Sequence, residues 1–230
     1  MPYLSRQDNV FILNLGEEGT VDTENRITPT WVAEVNICLD EVEDSTGAAA
    51  LVTTGAGKFY SNGFEPQLFA GAPGDVAAYL LSAQLLFARV LAFPLPTVAA
   101  LQGHTYAAGA IFAMAHDARV MRTDRGFFCL PEINLGLALP DGLIIPGGMA
   151  ELLLARLPGQ TAHQAILAGR RYGGPEARDA GIVDVAVGCD DVLPVAVERA
   201  AAVAQTRGPA LGTMKKWIYR DIIKALESLN

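Results

Sequence analysis

Cysteine is scarce in this chain. Cys38, Cys129 and Cys189 are an odd, widely spaced set. They provide no disulfide framework and no CxxC metal pattern, so a reducing compartment, the cytoplasm, is expected. Excess positive charge is missing as well: the formal net charge is −8. A basic surface is what rewards nucleic acid or an anionic membrane, so neither is expected as a partner. No apolar run approaches the ~20 residues that span a bilayer. The start, MPYLSRQDNVF, lacks the basic-then-apolar pattern of a secretion signal, and the end, SLN, is not the peroxisomal tripeptide SKL. Walker, strand–GxGxxG–helix and GxSxG contexts are absent, and no His/Cys/Asp/Glu spacing suggests a metal site.

What is present is a chain of 230 residues, 51% hydrophobic and 18% charged, the composition of a globular protein with one well-filled core. Strand and helix patterns alternate, which predicts an α/β fold. Strands are expected at Asn9–Leu15, Ala48–Thr53, Thr97–Leu101, Ala118–Met121, Gly126–Cys129 and Ile182–Val187. Helices are expected over Trp31–Glu43, introduced by Thr28-Pro29, and over Ala77–Ala92, Ala107–His116, Gly147–Arg156 and Thr161–Ala168. From Asp190 onward the pattern is helical, and Pro209 is expected to break it before a last helix over Met214–Leu229. The economical division is a core over residues 1–189 and a helical region over 190–230.

Four segments, in order, are similar to motifs of the crotonase (enoyl-CoA hydratase/isomerase) superfamily. KFYSNGFE at Lys58–Glu65 resembles that family's KxFxAGxD loop. PTVAALQGHTYAAGAIFAMAHD at Pro96–Asp117 resembles KPVIAAVxGxAxGGGxxLAxxCD, PEINLG at Pro131–Gly136 resembles PExxLG, and Ala165–Val183 resembles the LTGxxxxAxxAxxxGLV segment. Each alone reads as readily as a turn or a packed helix; four in register carry the resemblance. Ser61-Asn62-Gly63-Phe64 with Gly103-His104 is most similar to the Δ3,Δ2-enoyl-CoA isomerase branch.

The resemblance implies a crotonase (ClpP-like) spiral of ββα units with a helical C-terminal trimerisation region, assembled as a homotrimer or hexamer. It implies an acyl-CoA thioester as substrate, coenzyme A entering only as part of that substrate, with no separate cofactor. It also implies an oxyanion hole made of the backbone N–H groups of Phe64 and Ala108. Preset donors of this kind stabilise the enolate oxygen that forms when a proton leaves the carbon beside the thioester. Ser61, Asn62, Gly63, His104, Gly109, Leu135 and Asp141 are expected to contact substrate, and Phe69, Leu135 and Leu143 to line an acyl pocket. Glu132, in the apolar setting Leu130-Pro131-Glu132-Ile133, is the candidate acid/base, because partial burial raises a carboxylate's pKa.

The resemblance implies that hydratases of the family carry two glutamates around the bound water. The position of the first is Ile111 here, and isoleucine cannot activate water. One base still suffices to move a proton from C2 to C4 of a 3-enoyl thioester. Asp141 keeps a second reading open, hydration or thioester hydrolysis with Glu132, although an Asp after Pro140 also reads as a helix cap. A third reading is a homologue that binds acyl-CoA without turnover, since Phe64 and Ala107-Ala108 stand where small residues and glycines are usual.

Overall fold

The computed structural model describes residues 1–136 and 143–228. Strand β1 (Tyr3–Gln7) pairs antiparallel with β2 (Val10–Asn14), and helix α1 (Pro29–Asp44) follows. Three strand–strand–helix units come next: β3 (Ala50–Thr54), β4 (Phe59–Ser61), α2 (Pro73–Leu91); β5 (Thr97–Leu101), β6 (His104–Tyr106), α3 (Ala108–Met114); and β7 (Ala118–Arg122), β8 (Phe128–Cys129), α4 (Gly147–Arg156). The chain ends with α5 (Gly159–Ala168), α6 (Gly174–Asp179), β9 (Val185–Val187), α7 (Val192–Val203), α8 (Pro209–Ile218) and α9 (Arg220–Leu226).

Each unit sends its first strand to one sheet and its second to another. The large sheet has the order β1-β2-β3-β5-β7-β9 and the small one β4-β6-β8. All pairings except β1–β2 are parallel. This is the expected spiral. Parallel strands covered on both faces read as continuous apolar runs, as VFIL in β2 and ALV in β3 do. Their alternate residues divide between two cores. Phe11, Leu13, Leu51, Ala99, Leu101 and Met121 pack with α1, α2 and α3. Val10, Ile12, Ala50, Val52, Val98 and Val120 pack under Val192, Ala196, Val197 and Ala200 of α7.

That second core spans the division expected at 189/190. Helix α7 closes a face of the large sheet and is part of the body of the fold. Helices α8 and α9 follow it, and Leu226 of α9 is itself fully buried against the main core. The last helix is also divided differently: Pro209 opens α8, as its fixed φ suits a first turn, and the break falls at Tyr219. Sequence patterning missed β1, β4, β6 and α6. Strands β4 and β6 lie among glycines and turn residues, which make their three residues read as loop. Helix α2 is long and apolar enough to cross a bilayer by length and composition, but Tyr79, Leu80, Ala83, Leu86 and Phe87 bury its inner face in the core.

Candidate active site

The small sheet gathers the site. Its strands are parallel: Phe59 lies beside His104 and, after a register shift, Ser61 beside Thr105, with Thr105 beside Phe128 and Tyr106 beside Cys129. Their C-terminal ends therefore emerge together, the usual place for a ligand at a parallel sheet. From β4 comes Ser61-Asn62-Gly63-Phe64, from β6 Ala107-Ala108, and from β8 Leu130-Pro131-Glu132. The bond from Ala107 N to Cys129 O (3.0 Å) ties the second turn to the third strand.

The first two turns touch. Gly63 has φ 77°, and a Cβ added there would lie 2.8 Å from Ala107 Cβ and 3.1 Å from Ala108 N. Only glycine fits both the conformation and the space. The turn that carries the Phe64 amide therefore packs against the turn that carries the Ala108 amide. Neither N–H donates a hydrogen bond among the described residues. Ala107 itself sits at φ 53°, ψ −130°, a region that non-glycine residues occupy only under strain. The strain is local to the peptide that carries the Ala108 amide.

Glu132 opens a short 3-10 turn, Glu132–Asn134, whose Asn134 N bonds back to Pro131 O (2.8 Å). Its Oε2 is shut off from solvent and has no hydrogen-bond partner among the described residues. Burial pushes the carboxyl up to about 7. A carboxylate that can take and return a proton near neutral pH is the result. Ile111, one turn into α3 from Ala108, is fully buried and adds no second carboxylate.

The other expected contacts divide. Ser61 is fully buried; its hydroxyl donates to Asn25 O (2.7 Å) and accepts from Gly63 N (3.2 Å). A Cβ on Gly109 would lie 2.6 Å from Ser61 Cβ. Ser61 and Gly109, both expected at the substrate, pack against each other beneath the turn and hold it. Asn62 is half-buried, and its N–H donates to Glu24 O (2.8 Å). His104 is half-buried among Phe59, Tyr106 and Phe127, with ring centroids at 5.5, 4.9 and 5.7 Å. Its Nδ1 is buried without a partner among the described residues. Burial, then Lys58, Arg125 and Arg171, lower its pKa, which favours the neutral ring. Leu135 and Leu143 are exposed, whereas Phe69 packs on Phe64 at 5.8 Å. Asp141 lies outside the described residues.

Lys215, which with Lys216 and Trp217 forms the main basic cluster of the sequence, is buried and paired with Asp117 (2.6 Å). Arg89, Lys216, Arg220 and Lys224 line a groove of about 580 Å³ between α2 and the C-terminal helices, which shares no residue with the site. Among the described residues, no group of three or more His, Cys, Asp and Glu side chains could hold a metal ion. Sequence reasoning missed Arg26 and Tyr79, whose side chains bond around Phe64. Tyr79 lies inside an apolar helix, and nothing in its sequence setting marks it.

The family described as enoyl-CoA hydratase/isomerase matches residues 20–228. An enoyl-CoA delta isomerase 3 of Arabidopsis thaliana is 31% identical, covering 97% of this chain and 94% of its own length. An enoyl-CoA delta isomerase 2, peroxisomal, of the same plant is 33% identical over 97% of this chain and 90% of its own. Among solved structures, a probable enoyl-CoA hydratase from Mycobacterium tuberculosis superposes with a TM-score of 0.86 at 25% identity, covering 99% of this chain and 92% of the other.

Proposed function

The chain belongs to the enoyl-CoA hydratase/isomerase family, and from that premise we propose that it moves the double bond of a 3-enoyl-CoA to give the conjugated 2-enoyl-CoA. The observation that carries this reading is Glu132 Oε2: a buried carboxylate oxygen with no hydrogen-bond partner among the described residues, on a group whose pKa lies at about 7. It stands at the same sheet end as two backbone amides that donate to nothing among the described residues.

In this mechanism the Glu132 carboxylate removes a proton from C2 of the 3-enoyl thioester. The C2–H electron pair delocalises through the thioester carbonyl and the C3–C4 double bond, giving a dienolate. Its oxygen accepts hydrogen bonds from Phe64 N and Ala108 N, which are strongest when charge has developed there. The protonated Glu132 returns its proton to C4. The double bond is then between C2 and C3, and the enzyme regains its starting state. No water is consumed, so one carboxylate suffices. Ile111 favours this over hydration, because a fully buried isoleucine cannot orient water beside Glu132. The names of the Arabidopsis relatives support the same reading.

The test supplies 3-enoyl-CoA and 2-enoyl-CoA separately and follows conjugation and hydration. Conjugation is expected to dominate and to fall about a thousandfold in Glu132→Gln, the range for losing a general base. Hydration that depends on Asp141 would replace this reading with the two-carboxylate one. Tight binding of a CoA ester with neither reaction would leave a binding protein.

A further inference from the structure

We propose that Tyr79 is a positioning residue for the oxyanion hole: its hydroxyl, inserted between Glu65 N–H and Ile27 O, fixes the backbone of Phe64 so that the Phe64 amide faces the substrate oxygen. The inference rests on the enolate chemistry proposed above.

Phe64 lies in a two-peptide segment tied at three points. Ile27 and Phe64 form an isolated parallel bridge. One rung is direct, from Ile27 N to Gly63 O (2.9 Å). The other runs through the Tyr79 phenol, which accepts from Glu65 N (3.0 Å) and donates to Ile27 O. Arg26 Nη1 holds Phe64 O (2.8 Å). In a trans peptide the N–H points opposite to the C=O. Anchoring Gly63 O at Ile27 therefore turns the Phe64 N–H away from Ile27. Anchoring Phe64 O and Glu65 N fixes the following plane, so both dihedrals at Phe64 are set. The rings add a further constraint, since Phe64 packs on Tyr79 at 5.1 Å and on Phe69 at 5.8 Å.

The phenol is suited to this task. It is 4% exposed and comes from α2, a long helix anchored in the main core. A rigid element holding a loop sets a donor more closely than the loop can by itself. Burial also pushes the Tyr79 pKa up to about 12, so the hydroxyl remains a donor across the working range.

The experiment uses the full chain with Tyr79→Phe. This keeps the ring and removes the hydroxyl. A displaced oxyanion donor weakens the transition state more than the ground state. The expected result on 3-enoyl-CoA is a fall in kcat of about tenfold or more, with KM within about twofold. Equilibrium binding gives a second readout. A 3-oxoacyl-CoA, whose enolate absorbs in the near ultraviolet, should lose affinity and enolate signal. A saturated acyl-CoA of the same length should bind as before. Unchanged kcat, or equal losses for the two ligands, would overturn the proposal. If the parent enzyme does not isomerise but Tyr79→Phe still loses only the enolate ligand, Tyr79 keeps its role and the assigned reaction falls. Should Tyr79→Phe fail to fold, Arg26→Gln removes the tie at Phe64 O. It is expected to give the same selective loss, and an effect on KM alone would count against the clamp.

Discussion

At its N-terminal end helix α3 starts from a strained Ala107 and leaves polar groups open. Ala108 N has no partner among the described residues, nor has Glu132 Oε2 on the neighbouring strand end. At its C-terminal end, polar groups are extensively paired. Arg156 donates to Met114 O (3.2 Å), His116 O (2.7 Å) and Asp117 O (3.0 Å), and to the Tyr219 hydroxyl (2.7 Å). Lys215 donates to Asp117 Oδ2 (2.6 Å) and Leu95 O (2.9 Å). His116 Nδ1 bonds to Phe112 O (3.0 Å); since that carbonyl can only accept, Nδ1 carries the proton and Nε2 accepts from Thr53 (2.9 Å). Buried polar groups are normally paired, and unpaired ones concentrate where a ligand supplies the missing partner. One seven-residue helix thus has an end whose neighbours' polar groups tie the fold together and an end whose polar groups stay open, where the proposed reaction places the substrate.

The sharpest break of this contrast is at Glu132. Because the base must be ionised, kcat/KM should rise about tenfold per pH unit below pH 7 and level off above it. A pH–rate profile checks this, and the limb should vanish with the activity remaining in Glu132→Gln. A flat profile from pH 5 to 8 would remove Glu132 from the reaction.

Stability should respond to pH with opposite signs at the two ends. Glu132 is raised from 4.5 to about 7 in the folded protein. The folded state therefore binds its proton more tightly, and stability is lost as pH rises from about 4.5 through 7. His116 is lowered from 6.5 to about 3, chiefly by burial. Its contribution is present above pH 6.5 and is lost as pH falls towards 3. Denaturant midpoints against pH should show Glu132→Gln gaining on the order of 1 to 3 kcal/mol over the parent at pH 8. His116→Gln should flatten the acid limb.

The smallest effect concerns Ala107. Glycine there relieves the strain at φ 53° but adds freedom to the unfolded chain. A net gain of about 1 kcal/mol, or roughly 2 to 4 °C in Tm, is expected. A loss of stability in Ala107→Gly would mean that its Cβ contacts outweigh the backbone strain.

Much of this contrast is legible in the chain itself. The alternating pattern marks most strands and long helices, because apolar periodicity is a local property. The four motifs identify Glu132 and the two turns, since glycine at position 63 and a glutamate after Pro131 are requirements that leave a mark in the chain. The motif marks Ser61 and Gly109 equally, but it does not say that the two pack on each other, which the structure shows. Strands β4 and β6 are invisible because their three residues lie among glycines and turn residues that read as loop.

By itself the sequence determined the class of fold, the single carboxylate in the PEINLG motif and the hydrophobic residue at position 111. These depend on residue identity and short spacing. Tertiary structure alone decided that α7 belongs to the core, that Lys215 is a buried tie, and that Tyr79 and Arg26 bracket Phe64. Each of those depends on side chains far apart in the chain meeting across packed elements. No local pattern encodes such a meeting, because it exists only once the two cores have formed.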